Sequence, residues 1–198
     1  GGVGVVGERP SAAVHSQFNQ LINPPQTTRF VFGSHTAEDV FVLAMNRARI
    51  REQMEPGGWE LHLSGSNAGP GGTKIKLIDD SSTNKGGNTA RRNFSPEYNI
   101  VSGTLVGGRV IKTAATSEGA AGTYGKFYPS IGVLVLNVNR LEQDLDTPSG
   151  GQFKSGSNAD GGNNDKFVTL LKNAAFFSAK RQEEITSTHY FVRAKASQ

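Results

Sequence analysis

Val42-Leu43-Ala44-Met45-Asn46-Arg47-Ala48-Arg49-Ile50 decides how this chain is read, because a close counterpart, Val133-Leu134-Val135-Leu136-Asn137-Val138-Asn139-Arg140-Leu141, follows 91 residues later (133 minus 42). In each copy an apolar run too short for a helix of its own ends at Asn, whose side chain accepts a hydrogen bond from the free N–H groups of a first helical turn. Asn46 and Asn137 are therefore candidate helix caps. Met45 and Leu136 precede the caps, and Ile50 and Leu141 fall at the fourth helical position, which is the pairing of a hydrophobic staple. Ile50/Met54 and Leu141/Leu145 continue one apolar stripe at i, i+4 until Pro56-Gly57 and Pro148-Ser149-Gly150 end each helix. The pattern predicts an internal duplication, a buried strand running into a short capped helix, over residues 39–55 and again over 130–146.

Outward from these units the signals are mostly those of strands. Phe30 and Phe32 alternate with Arg29 and Val31 between Thr28 and Gly33, Trp59 to Leu63 alternates at period two, and Lys74 to Ile78 does so less cleanly. The glycine-rich Ser64 to Gly72 between the last two suits a hairpin loop. Tyr98 to Gly108 is a further strand interrupted at Gly103, and Tyr124, Lys126 and Tyr128 alternate onto one face. Asn164 can cap a helix over Asp165 to Phe177, with Phe167, Leu170, Leu171 and Ala174 as its apolar stripe. Thr188 to Arg193 has the β-branched and aromatic content of a last strand. The sum is an α+β fold, mostly antiparallel strands with three short helices.

Residues 1–27 are glycine-rich, then polar, then broken by Pro24-Pro25, and read as an extended arm or linker with one short turn around Phe18 to Ile22. Residues 28–198 form the domain, and the duplication divides it into candidate halves, 28–95 and 96–198. The Gly1 start and the end at Gln198, directly after a strand-like run, both read as cuts in a longer polypeptide.

Composition narrows the function classes. With 198 residues the chain can bury a real core, while 25 Gly and 8 Pro assign much of it to turns. The formal charge of +4 permits a nucleic-acid partner, but the basic pairs Arg91-Arg92 and Lys180-Arg181 make no stripe with interleaved aromatics, which argues against nucleic acid as a partner. No apolar stretch reaches the roughly 18 residues of a membrane span. Zero cysteine excludes disulfides, thiolate catalysis and cysteine-based zinc sites.

The chemical motifs are weak. Gly2-Val3-Gly4-Val5-Val6-Gly7 matches a dinucleotide fingerprint literally, but no strand precedes it and Glu8-Arg9-Pro10 follows where a helix should open. Gly125-Lys126-Phe127 lacks the glycine and hydroxyl of a phosphate loop. His15, His35, His62 and His189 have no metal-ligand spacing, and Asp79-Asp80 with Ser81, Ser82 and Asn84 reads as a polar turn in a surface loop over 79–95. Glu183-Glu184 can pair with Lys180 and Arg181 at the surface, and Glu142, Asp144 and Asp146 read as solvated helix charges. No nucleophile, base and orienter can be grouped, so the expectation is a non-enzyme with no catalytic residue, no cofactor and no metal. Arg49 and Arg140 stand at the third helical position, where the helix dipole disfavours a cation; each pairs with a nearby carboxylate or reaches toward a neighbouring chain. They join Tyr124 and Tyr128 as candidate interface residues.

Three runs carry a resemblance. Gly122-Thr123-Tyr124-Gly125-Lys126-Phe127-Tyr128-Pro129 with Ile131 to Asn137, Glu183-Glu184-Ile185 through Lys195, and more weakly Phe41 to Arg49 with Pro56-Gly57 resemble a family of large virion structural proteins of contractile-tailed phages, particularly those infecting cyanobacteria. The resemblance spans about residue 28 to the end and marks no catalytic residue. It implies a virion location and a multi-copy subunit of a tail or baseplate, with copies of itself and other virion proteins as partners. The alternatives are a capsid or neck-associated decoration protein, or a module binding host glycan through Trp59, Tyr124 and Tyr128 as stacking platforms.

Overall fold

The two copies of the opening stretch lie side by side. In the computed structural model, which describes residues 10–24, 26–37, 39–65, 74–85, 87, 95–106, 109–112, 122–145, 153 and 162–183, strand β3 (Val40–Ala44) pairs antiparallel with β9 (Val133–Asn137). Val42 stands opposite Val135 and Leu43 opposite Leu134. Each strand alternates between two cores. Phe41, Leu43, Leu134 and Leu136 point into one, and Val40, Val42, Val133 and Val135 into the other. Burial on both faces explains why these strands read as unbroken apolar runs.

The remaining elements follow in chain order: α1 (Pro10–Ile22), β1 (Phe30–Phe32), β2 (His35–Ala37), α2 (Arg47–Ile50), β4 (Gln53–Ser64), β5 (Lys74–Asp79), β6 (Tyr98–Val106), β7 (Arg109–Lys112), β8 (Gly125–Tyr128), α3 (Val138–Asp144), α4 (Gly162–Ala174) and β10 (Phe177–Gln182). Among the described residues this is an α+β fold dominated by antiparallel pairing. One sheet runs β10-β4-β5-β6-β8-β9-β3, with β7 on the far half of β6, and β1-β2 form a separate hairpin. Strands from 28–95 (β3, β4, β5) and from 96–198 (β6, β8, β9, β10) are interspersed in that order, so the two candidate halves share one sheet. The sheet curls. Met54 N–H at the start of β4 donates to Pro129 O in the β8–β9 turn at 3.1 Å, although β5, β6 and β8 lie between them in the sheet order.

The larger core fills the inside of this curl. Trp59, Leu61, Leu63, Leu77, Ile100 and Phe127 meet α3 through Leu141 and α4 through Phe167 and Leu170. Phe41 of β3 stacks on Phe167 of α4 with ring centroids 4.2 Å apart, so α4 ties β3 to the β4 side of the sheet. The smaller core lies on the opposite face, where Ile22 and Phe18 of α1, Phe30 and Phe32 of β1, and Ala37 cover Val133, Val135 and Tyr128.

Several expectations give way here. Residues 10–22 are a thirteen-residue helix rather than an extended arm with one turn. Ile22 is fully buried, and His15 packs edge-on to Phe30 at 5.4 Å. The helix after Asn46 is a single turn, because Arg51 adopts a positive φ of 52° and the chain then enters β4. Pro56-Gly57 thus sits inside a strand, where Ala179 is opposite Trp59 but Arg181 is opposite Met54, so residues 55–58 bulge out of the β10–β4 ladder. Helix α4 stops at Ala174, before the expected Phe177, since Ala175 takes a φ of 49° and Phe177 opens β10. The Gly2–Gly7 motif, Arg91-Arg92, the Ser66–Gly72 part of the hairpin loop and the Thr188–Arg193 strand lie outside the described residues.

Close approach requires glycine at 132 and at 125. Gly132, at a φ of 63°, turns the chain between Met45 and Ile50, and a Cβ there would stand 2.7 Å from Ile50 Cδ1. Its carbonyl accepts from Met45 N–H at 2.9 Å, which holds the staple pair beside the second copy of the motif. A Cβ on Gly125 would overlap the Val135 carbonyl oxygen.

Candidate functional site

The predicted caps are placed as follows. Asn46 Oδ1 accepts from Ala48 N–H at 2.9 Å. Asn137 Oδ1 accepts from Arg140 N–H at 3.4 Å, and its Nδ2 donates to Thr123 O at 2.9 Å inside the core. One cap is exposed and the other fully buried.

The candidate interface residues separate. Arg140 Nε pairs with Asp144 Oδ2 at 3.0 Å one helical turn on, and its guanidinium lies 5.0 Å from the Tyr124 ring centroid. The Tyr124 hydroxyl bonds Asp144, so these three side chains form one intrachain group. Burial, and then the bond to Asp144, pushes the Tyr124 hydroxyl above its usual pKa. Tyr128 is fully buried and donates to Glu97 Oε2 at 2.9 Å, while Lys126 pairs with the other oxygen of the same carboxylate. Tyr124 and Tyr128 thus belong to opposite cores and do not share a face as the alternation suggested. The cause is Gly125, where the chain shifts by one position: Tyr124 N–H already bonds Ile100 O, which the ladder register sets opposite Gly125. Arg49 alone of the four remains exposed, and it makes no ion pair among the described residues.

The acidic groups also hold the fold. Asp79 is fully buried, accepting from Gly57 N–H at 2.7 Å and Ser81 N–H at 3.0 Å. Desolvation pushes its carboxyl above the ordinary range, against the lowering effect of those bonds. Asp80 accepts from the backbone and side-chain amides of Asn99, both at 3.0 Å. Residues 79 and 80 therefore anchor the interior rather than decorate a surface loop, because each oxygen pair satisfies donors that the bulge and the β6 start leave open. Glu142 is partly buried, with its carboxyl raised by desolvation, and Asp144 is bound as above, so neither is a solvated helix charge. Glu183 pairs with Arg51 rather than with Lys180 or Arg181. Beside it an open polar groove of about 590 Å³ is lined by Glu52, Gln53, Glu55, Arg181, Gln182 and Glu183. Among the described residues no three His, Asp or Glu side chains are placed to hold a metal, and no helix is long and apolar enough to cross a membrane.

What stands out is the sheet edge. Strand β10 is last in the sheet order, and all six of its residues are exposed. Phe176 and Phe177 are 44% and 41% exposed at its start. Phe176 stacks on His62 at 4.2 Å, and His62 in turn contacts Glu60, whose other oxygen accepts Leu105 N–H at 2.5 Å. The bond from His62 N–H to Phe176 O, at 3.1 Å, fixes the phase of the ladder. Residues 176 and 178 face β4 with their backbone groups, and Phe177 and Ala179 turn theirs outward.

No protein-family model, curated protein or solved structure matches the chain.

Sequence reasoning missed this edge by extending α4 through Phe177. The stripe of Phe167, Leu170, Leu171 and Ala174 continues at i+3 into Phe177, and only Phe176, on the opposite side of such a helix, departs from it.

Proposed function

We propose that the chain is a multi-copy structural subunit of a contractile-tailed phage particle, placed in the tail or baseplate and acting through contacts between subunits. The observation that carries this reading is β10: a strand exposed along its whole length, with the exposed Phe176 and Phe177 at its start, at one end of the sheet. An edge of that kind is a template for pairing with another chain. The resemblance in Gly122 to Asn137 and in the run from Glu183 supports the same reading. The aromatic residues that a glycan module would use do not favour the alternative, since Trp59 and Tyr128 are fully buried.

The test is localisation. Antibody against the purified chain, applied to intact phage particles and imaged by electron microscopy, should label repeated positions along the tail or at the baseplate. Label confined to the head would favour the decoration reading, and particles without label would overturn the structural role.

A further inference from the structure

We infer that β10 pairs with β10 of a second copy about a two-fold axis through Ser178, with Phe177 of each copy opposite Ala179 of the other. This contact deepens the multi-copy reading, and it can fail without that reading failing. The ladder phase leaves the N–H and C=O groups of Phe177 and Ala179 pointing away from β4, with no partner among the described residues. Two antiparallel copies satisfy these groups only if outward residues meet outward residues.

Three registers obey that condition near the strand. Centred on Phe177, the pairing runs back into Ala175, whose φ of 49° has already left the strand. Centred on Ala179, it runs through the irregularity between Ala179 and Arg181. Centred on Ser178, both outward residues pair within the regular segment and four backbone hydrogen bonds form.

Charge is compatible with this register. Lys180 stands opposite Phe176 of the second copy, so an ammonium meets an exposed ring. The β10–β4 irregularity and the charges at Lys180 and Arg181 blunt the other half of the edge, which is how sheets prevent open-ended pairing. Pairing at the β10 edge stops at one added copy. A four-bond strand contact covers far less than the roughly 1,600 Å² of a stable interface, so the association is weak in dilute solution and gains strength within an assembly.

The chain has no cysteine, which makes a direct test simple. Ser178 would form a non-hydrogen-bonded pair with its equivalent, at a Cα separation of about 4.5 Å that a disulfide can bridge. Lys180 would lie about 13 Å from its equivalent, four residues of strand away, which a disulfide cannot span. Full-length Ser178→Cys under mild oxidation should therefore give covalent dimer about tenfold faster than Lys180→Cys, both positions being exposed. Adding Ala179→Pro should abolish the cross-link, because it removes an outward N–H and leaves the β4 ladder intact. Equal rates for the two cysteine variants, or Ser178→Cys remaining monomeric at millimolar concentration, would overturn the pairing. The particle-labelling result is independent of either outcome.

Discussion

Asp79 Oδ2 accepts a hydrogen bond from Gly57 N–H at 2.7 Å, and this bond joins the end of β5 to the bulge in β4. Because Asp79 also receives Ser81 N–H, its removal strands two donors in the interior. Asp79→Ala should lower unfolding stability by about 2–4 kcal/mol, measured by urea titration. A loss under about 0.5 kcal/mol, the range of neutral surface changes, would show that the bulge is held by something else.

The same carboxyl sets a pH dependence. Its folded pKa is raised by desolvation, so the native state holds the proton more tightly than the unfolded chain. Stability from this group is greatest at acid pH and is lost as pH rises through the folded pKa. Asp79→Asn, which stays neutral, should therefore gain on the wild type as pH rises above the ordinary aspartate pKa of about 3.9, in parallel urea titrations. A gap that moves the opposite way would refute the burial argument.

The two caps differ in worth. Asn46→Ala removes one exposed bond and should cost about 0.5–1 kcal/mol. Asn137→Ala removes a buried acceptor and also leaves Thr123 O unpaired, so about 2–3 kcal/mol is expected. Thermal unfolding of the two variants side by side reads the difference, and equal losses would contradict the burial of Asn137.

Glu97 holds Lys126 and Tyr128 with one carboxylate. Glu97→Ala takes the carboxylate away from the Lys126 ammonium and removes an acceptor of the Tyr128 hydroxyl, for an expected loss of about 3–5 kcal/mol. In the Glu97→Ala, Lys126→Met double variant much of that loss should return, since the stranded charge is gone. Additive losses in the cycle would show that the two side chains act independently.

The pairing of local signals with tertiary context explains what could be read in advance. The capped units were legible because an Asn ending an apolar run is a local chemical event, and β3, β9, α3 and the β1 alternation follow from period alone. The one-turn length of α2 was not, since Pro56-Gly57 serves equally as a helix stop or a strand bulge and only the Asp79 carboxylate, 22 residues on, selects the bulge. The opposite destinations of Tyr124 and Tyr128 depend on a one-residue shift at Gly125 that side-chain alternation does not reveal. The open edge at β10 was hidden for a related reason: Phe176 and Phe177 are apolar, and apolar residues at the end of a helical stripe read as core.

The β3–β9 pair carries a constraint on how this protein can change over generations. One face of the pair presents valines and the other leucines and a phenylalanine, to cores of different depth. Inserting or deleting a single residue in either strand would exchange the bulky and the slender side chains between the two interiors at once. Length variation among descendants of this sequence should therefore occur here only in steps of two residues.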